Sequence, residues 1–381
     1  MNREMYVLLT GGKNNAGDYL IKHRAKQLFA QLRPDRQIID YDAWNTFTDQ
    51  QLDIVNKSKA LILCGGPALQ FNMYPAIYPM VKNLEEIKVP IIMMGTGWKS
   101  LRGDWIDTHN YVLSEETQIL LNKIESSGYL SSVRDYHTLN SLNTRGYKNV
   151  LMTGCPALYD LNYINTTATS DQIKSVSFSA GVSFTNSKNM DNLQKECILR
   201  LKEYFKNSNF TVVFHHSIDE EKHFKSYKKL TDLYYAQKSL VNWLNENQIE
   251  YIDISGGEEK LIGHYNSCDF HIGFRVHAHI YMSSISKKSI LISEDGRGKA
   301  LQKVISGLIF DGYSGINMPK KKFFGLIKVS KDTFTPNNDL PKDLINSIDY
   351  ELKHKLPRLT LTRKNIDSHF EVMKNFLQQL P

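Results

Sequence analysis

Residues 268–280 read C-D-F-H-I-G-F-R-V-H-A-H-I, an apolar run that stops at Gly273 and is followed by Arg275 and His277 where a helix should begin. A residue leaving the carboxyl end of a parallel strand beside free helix N–H groups is well placed to meet an anion. Arg275 adds a planar, permanently charged fork suited to carboxylate or phosphate, and His277 can exchange a proton near neutral pH. Together they read as an anion clamp beside a proton donor. Spacing alone equally allows Arg275 as a structural ion-pair residue and His277 as a satisfied helix-start histidine.

Three other strand ends carry polar residues of the same kind. Asn15-Ala16-Gly17-Asp18 follows a first apolar strand and Gly11-Gly12. It lacks the G-x-G-x-x-G spacing of a dinucleotide site and the Lys-Ser/Thr ending of a phosphate loop, and Asp18 is also a natural helix cap. Ser131-Ser132-Val133-Arg134-Asp135 offers a second arginine, with an ion pair to Asp135 as the alternative use. In Phe214-His215-His216-Ser217 the two imidazoles must point to opposite faces, so only one can serve a site. His271, His277 and His279 lack a carboxylate or cysteine at ligand spacing, so no metal is expected, and His271 and His279 read as structural. There is no Gly-x-Ser-x-Gly elbow and no cysteine in nucleophile surroundings.

The elements that must position these loops alternate regularly. Apolar strands are expected near 5–10, 37–41, 60–64, 89–94, 129–133 and 149–152, with helices between them, including one over 73–87. Residues 161–174 have loop composition, and then the pattern restarts with strands at 175–180, 210–215, 250–254, 268–272 and 289–293. This predicts an α/β chain of two doubly wound, Rossmann-like domains, 1–165 and 170–310, facing a cleft. A basic helical tail, 311–381, follows, and its last helix is expected to pack back on the first domain.

Composition narrows the class. At 381 residues, two domains can each bury a core. The four scattered cysteines predict a reducing, cytoplasmic setting. The N-terminal apolar run is too short for a signal peptide, and no run approaches a membrane span. Lys and Arg exceed Asp and Glu by seven, and residues 311–381, with 12 basic and eight acidic residues, supply four of that excess. Lys320, Lys321 and Lys322 precede Phe323 and Phe324, a run that would serve either as a solvated loop or as a peripheral contact with the inner membrane face. No nucleic-acid partner is indicated.

Taken together, the loops resemble the polysaccharide pyruvyl transferase family. Its N-x-G-D is met by Asn15-Ala16-Gly17-Asp18, its double glycine by Cys64-Gly65-Gly66, its S-x-R-D by Ser132-Val133-Arg134-Asp135 and its R-L-H-A by Arg275-Val276-His277-Ala278, in the family's order. The resemblance implies a fold of the two-domain GT-B type and transfer of pyruvate from phosphoenolpyruvate onto two hydroxyls of a sugar or lipid-linked glycan acceptor, with phosphate released and no cofactor. It implies Arg134, Arg275 and His277 as catalytic, and Asn15, Gly17, Asp18, Gly65, Gly66, His216 and Lys299 as substrate-binding. The two arginines would neutralise the donor and His277 would protonate its methylene carbon. His216 would orient or deprotonate the acceptor hydroxyl. Two departures stand out: Gly154-Cys155-Pro156-Ala157-Leu158 replaces the family's G-D-P-A-L, and Glu294-Asp295-Gly296-Arg297-Gly298-Lys299 matches its Y-D-x-K only loosely. A nucleotide-sugar glycosyltransferase and a non-catalytic glycan- or polyanion-binding protein are the alternatives.

Overall fold

A computed structural model describes residues 4–11, 15–167, 172–316 and 334–381. The first domain runs β1 (Glu4–Thr10), α1 (Ala16–Leu32), β2 (Arg36–Asp42), α2 (Asp49–Lys57), β3 (Ala60–Cys64) and β4 (Ile91–Met94). It continues with α3 (Trp105–His109), α4 (Glu115–Ser126), β5 (Ser131–Val133), α5 (Tyr136–Asn143) and β6 (Val150–Met152). Strands β2-β1-β3-β4 form one parallel sheet, and β5 pairs with β6. Serine hydroxyls stitch the two together, because Met93 N and Gly95 N donate to the side chains of Ser131 and Ser132, at 3.0 and 2.9 Å.

The second domain comprises β7 (Ser175–Ser179), α6 (Lys188–Tyr204), β8 (Asn209–Phe214), α7 (Glu220–Tyr227), α8 (Asp232–Glu246) and β9 (Glu250–Asp253). It continues with α9 (Glu258–Ser267), β10 (Phe270–Gly273), α10 (Val276–Ser284), β11 (Lys288–Ser293), α11 (Gly296–Ile305) and β12 (Ile309–Asp311). Its six parallel strands lie in the order β12-β11-β10-β7-β8-β9. The chain reverses direction across each sheet, between β1 and β3 in the first and between β7 and β10 in the second. The carboxyl ends beside those reversals are where a ligand crevice opens in such sheets. The expected two doubly wound domains are therefore present. Strands β3, β4, β10 and β11 are buried along their whole length, which explains the unbroken apolar runs of β3 and β4, while the polar His271, Ser289 and Ser293 of β10 and β11 are hydrogen-bonded.

Some elements differ from expectation. The helix predicted over 73–87 is instead a short π turn at Met73–Ile77 and a 3-10 turn at Leu84–Glu86, because Pro75 and Pro79 remove backbone donors a helix needs. Ile309–Asp311 adds an edge strand too short to show periodicity. β13 (Tyr313–Ile316) and β14 (Phe334–Pro336) pair antiparallel, and the Lys320, Lys321, Lys322, Phe323, Phe324 run lies outside the described residues.

α12 (Leu340–Lys353) and α13 (Pro357–Gln378) end the chain. Ile366, Phe370, Met373, Phe376 and Leu377 of α13 enter the core that contains β1 and α1. Arg33 donates to the Leu377 and Leu380 carbonyls at 2.9 and 3.0 Å, and Tyr6 donates to the Pro381 carbonyl. Further up the same helix, Arg363 donates to the Ser284 carbonyl at 3.0 Å and Asn365 to that of Ile305 at 3.1 Å. One helix thus grips both domains. Among the described residues no helix is long and apolar enough to cross a membrane. All four cysteines are buried and free.

Candidate active site

Between the carboxyl edges of the two sheets lies a cavity of about 520 Å³. Asn15, Asp18, Gly65 and Gly66 line it from the first domain, and His216, His277, Asp295 and Arg297 from the second. Trp44, Pro67, Ile77 and Tyr78 give the first-domain wall an apolar face.

The Arg275 loop is shaped by Gly273, whose φ of +146° and whose closeness to Ser179 exclude any side chain; a Cβ there would sit 2.5 Å from the Ser179 backbone. Ser179 Oγ then accepts from Arg275 N at 3.0 Å, which holds Arg275 as the N-cap of α10. The guanidinium is buried, with Nη1 3.8 Å from Glu294 Oε1 and Nη2 3.2 Å from His216 Nε2. Glu294 spends its other oxygen on the backbone N–H groups of Val182 and Ser183, at 2.7 and 2.8 Å.

His277 reaches across to the first turn of α1 and packs its ring on Gly17. A Cβ on Gly17 would lie 2.5 Å from His277 Cγ, so glycine is needed here for approach rather than for a special φ. Asn15, not Asp18, caps α1, accepting from Gly17 N at 3.3 Å. Asp18 is left to face the cavity, where Asn15 Nδ2 donates to it at 3.2 Å. Burial raises the Asp18 carboxyl to about 6, against the pull of Arg297 and Asn15.

Arg134 follows β5 and lies over Gly97 with Nη2 buried and unpartnered. Its neighbour Asp135 is 3.8 Å away and caps α5 through Thr138 N at 2.7 Å. The sequence reading missed Arg297. It folds back on Asp295, donating to both carboxylate oxygens at 2.6 to 3.1 Å, and that pairing raises the guanidinium's pKa still further. Asp295 is held low despite its burial, because Arg297 outweighs the lost solvation. The signal was available, since Glu294-Asp295-Gly296-Arg297 sits directly after β11. Lys299 is not brought in. It lies one half-turn further along α11, 3.8 Å from Asp311 and 4.5 Å from the centre of the Tyr313 ring.

His277 is held neutral in this cavity: burial, then the charges of Arg134, Arg297 and Arg275, push its pKa well below the ordinary 6.5. Its Nε2 is buried and has no hydrogen-bond partner. His216 lines the cavity, while His215 turns away to the Tyr265 hydroxyl at 2.8 Å. His271 bridges Ser179 and Ser289 at 2.8 Å each, and His279 also bonds Ser289. Cys155 is buried, and burial raises its thiol pKa although Arg134 pulls the other way.

Four buried histidines, 215, 271, 277 and 279, and the half-buried His216 thus have pKa values below 6.5, in each case chiefly because loss of solvent disfavours the charged ring. Below pH 6.5 the unfolded chain binds protons that the native state refuses, so stability should fall on acidification, by up to ~1.4 kcal/mol per pH unit for each ring. Asp18 acts with the opposite sign, since its raised pKa keeps a proton in the native state between about 4 and 6, offsetting one ring there. The melting temperature should be flat above about pH 7 and drop steeply from 6.5 to 5. A level profile across that range would contradict the burial of these rings.

Among solved structures the chain is similar to Staphylococcus aureus MnaA in complex with UDP, at 13% identity, with 99% of each chain covered and a TM-score of 0.51. It is also similar to UDP-GlcNAc 2-epimerase from Neisseria meningitidis bound to UDP-GlcNAc, at 9% identity, with 98% and 100% covered and a TM-score of 0.51. At such identities the likeness is one of fold, the GT-B-like plan of two facing domains. No curated protein matches in sequence. The profile of the polysaccharide pyruvyl transferases matches residues 15–294, a span that opens on Asn15, two residues before the Gly17 on which His277 rests, and closes on Glu294 beside Arg275. The chain therefore belongs to the polysaccharide pyruvyl transferase family.

Proposed function

We propose that the protein transfers the pyruvate of phosphoenolpyruvate to two hydroxyls of a sugar in a polysaccharide precursor, forming a cyclic ketal and releasing phosphate. The observation that carries this reading is the set of three guanidiniums, Arg134, Arg275 and Arg297, acting on one neutral histidine whose Nε2 has no partner. Phosphoenolpyruvate brings a carboxylate and a phosphate, acceptors for guanidinium donors such as Arg134 Nη2, which is buried without a hydrogen-bond partner. Its binding would offset the charges that hold His277 neutral, raising the pKa of the ring so that it picks up a proton only when donor is present. His277 then delivers that proton to the methylene carbon, and an acceptor hydroxyl attacks the cationic C2. Phosphate leaves, and the second hydroxyl closes the ketal.

The protein's own residues supply charge neutralisation and proton transfer, and the reaction as proposed calls for no redox cofactor. The free thiols favour a cytoplasmic setting, and the acceptor is a sugar or a lipid-linked glycan.

A nucleotide-sugar donor is the second reading, supported by the fold likeness alone. It needs an acidic residue near 294–295 free to meet a ribose. Glu294 is engaged by Val182, Ser183 and Arg275, and Asp295 by Arg297. Thermal-shift titration separates the two. Phosphoenolpyruvate should stabilise the protein, by about 2.7 kcal/mol at a hundredfold excess over Kd, and UDP should not. Stabilisation by UDP without any by phosphoenolpyruvate would sink the pyruvyl reading.

A further inference from the structure

Valence at His216 determines where a proton sits on the second-domain wall of the cavity. Arg275 Nη2 lies 3.2 Å from His216 Nε2. A guanidinium has donors only, so Nε2 must be the bare nitrogen and the proton of the neutral ring is on Nδ1. His216 Nδ1 is 3.1 Å from the Tyr227 hydroxyl and therefore donates to the phenol oxygen. The phenolic proton is left to point away from His216. Tyr227, the last residue of α7, lines the cavity, and its ring is held at 4.7 Å from His223, which is itself bonded to Thr231 at 2.9 Å. Asp18 lines the same cavity from the first domain, and its charge acts on the Tyr227 phenol. A hydrogen-bond donor on one domain thus shares the cavity with a carboxylate on the other.

We infer that Tyr227 and Asp18 together hold the acceptor hydroxyls: the phenol donates to a hydroxyl oxygen while Asp18 takes that hydroxyl's proton as the oxygen bonds to C2 of the donor. This rests on the pyruvyl-transfer reading. The atoms balance. Two O–H bonds, the C–O bond to phosphate and the C=C π bond of the donor break, and two C–O bonds, one C–H bond and one O–H bond on phosphate form. Of the two hydroxyl protons, one equivalent ends in the new methyl group and the other passes through Asp18 to the departing phosphate. His216 is a positioning residue, handing Tyr227 the hydrogen bond that turns its proton toward the ligand.

The test uses the full chain with phosphoenolpyruvate and methyl glycosides of glucose, galactose and mannose as probes. Tyr227→Phe should raise the KM for a glycoside about tenfold, the loss of one hydrogen bond, with donor-induced thermal stabilisation retained. Asp18→Asn should lower kcat by about a hundredfold or more. The imidazole 15N shifts of His216 should show a protonated Nδ1 and a bare Nε2. A proton on Nε2, an unchanged glycoside KM in Tyr227→Phe, or a wild-type protein that binds donor but turns over no glycoside would each overturn the inference. Failure of phosphoenolpyruvate to stabilise the wild-type protein would instead remove the underlying reading, and this one with it.

Discussion

Arg275→Lys is expected to fold and to lose about a hundred- to a thousandfold in kcat/KM, the usual cost of removing one preorganised donor from a developing anion. The lysine keeps a positive charge opposite Glu294, whose Oε1 has no other partner, so the buried carboxylate is not left uncompensated. What it loses is the planar fork that contacts both Glu294 and His216 at once. Arg275→Ala would remove the charge as well and destabilise the fold by ~3–5 kcal/mol, as broken buried pairs do. The lysine variant is therefore the informative one. Circular dichroism melting and phosphate release from phosphoenolpyruvate check it, and turnover within threefold of wild type would exclude Arg275 from the donor clamp.

Gly17→Ala should be nearly as damaging to activity, although alanine favours a helix over glycine by up to ~1 kcal/mol. The new Cβ would lie 2.5 Å from His277 Cγ and 2.8 Å from its Cβ, so the imidazole must leave its place. His277 is buried and sits at a helix start, with little room to move without disturbing α10. A general acid displaced in this way costs about a hundredfold or more in kcat, while the strain and the helix gain nearly cancel in stability. A double-variant cycle makes the cause visible. Gly17→Ala adds little to His277→Ala if it works only by moving the ring, because effects on one contact are not additive. Full activity in Gly17→Ala would show that His277 need not sit against α1.

That Arg134, Arg275 and His277 stand on loops at strand ends was legible from spacing, whereas their grouping in one site was what the family resemblance implied. The cavity residues Asn15, Asp18, Gly65, Gly66 and His216 follow the same rule. The choice between His215 and His216 did not, since alternation says that one faces the site and cannot say which. Arg297 against Lys299 was decided by the first turn of α11, where Asp295 caps the helix and draws the Arg297 fork onto itself, leaving Lys299 to Asp311 and Tyr313. The helix expected over 73–87 failed for a local reason, two prolines, that the apolar pattern masked.

The two alternating halves, the loops that end their strands and the residue types that could clamp an anion can all be read from the order of residues. These follow from periodicity and turn chemistry, which act over a few residues. The strand order, the second-domain wall of the cavity, the glycine that His277 rests on and the proton position on His216 emerge only in the folded chain. Each of these depends on groups distant in the chain, such as Gly17 with His277, or His216 with Arg275. Their charges and shapes act on one another only after the two sheets have brought their carboxyl edges together and excluded water between them.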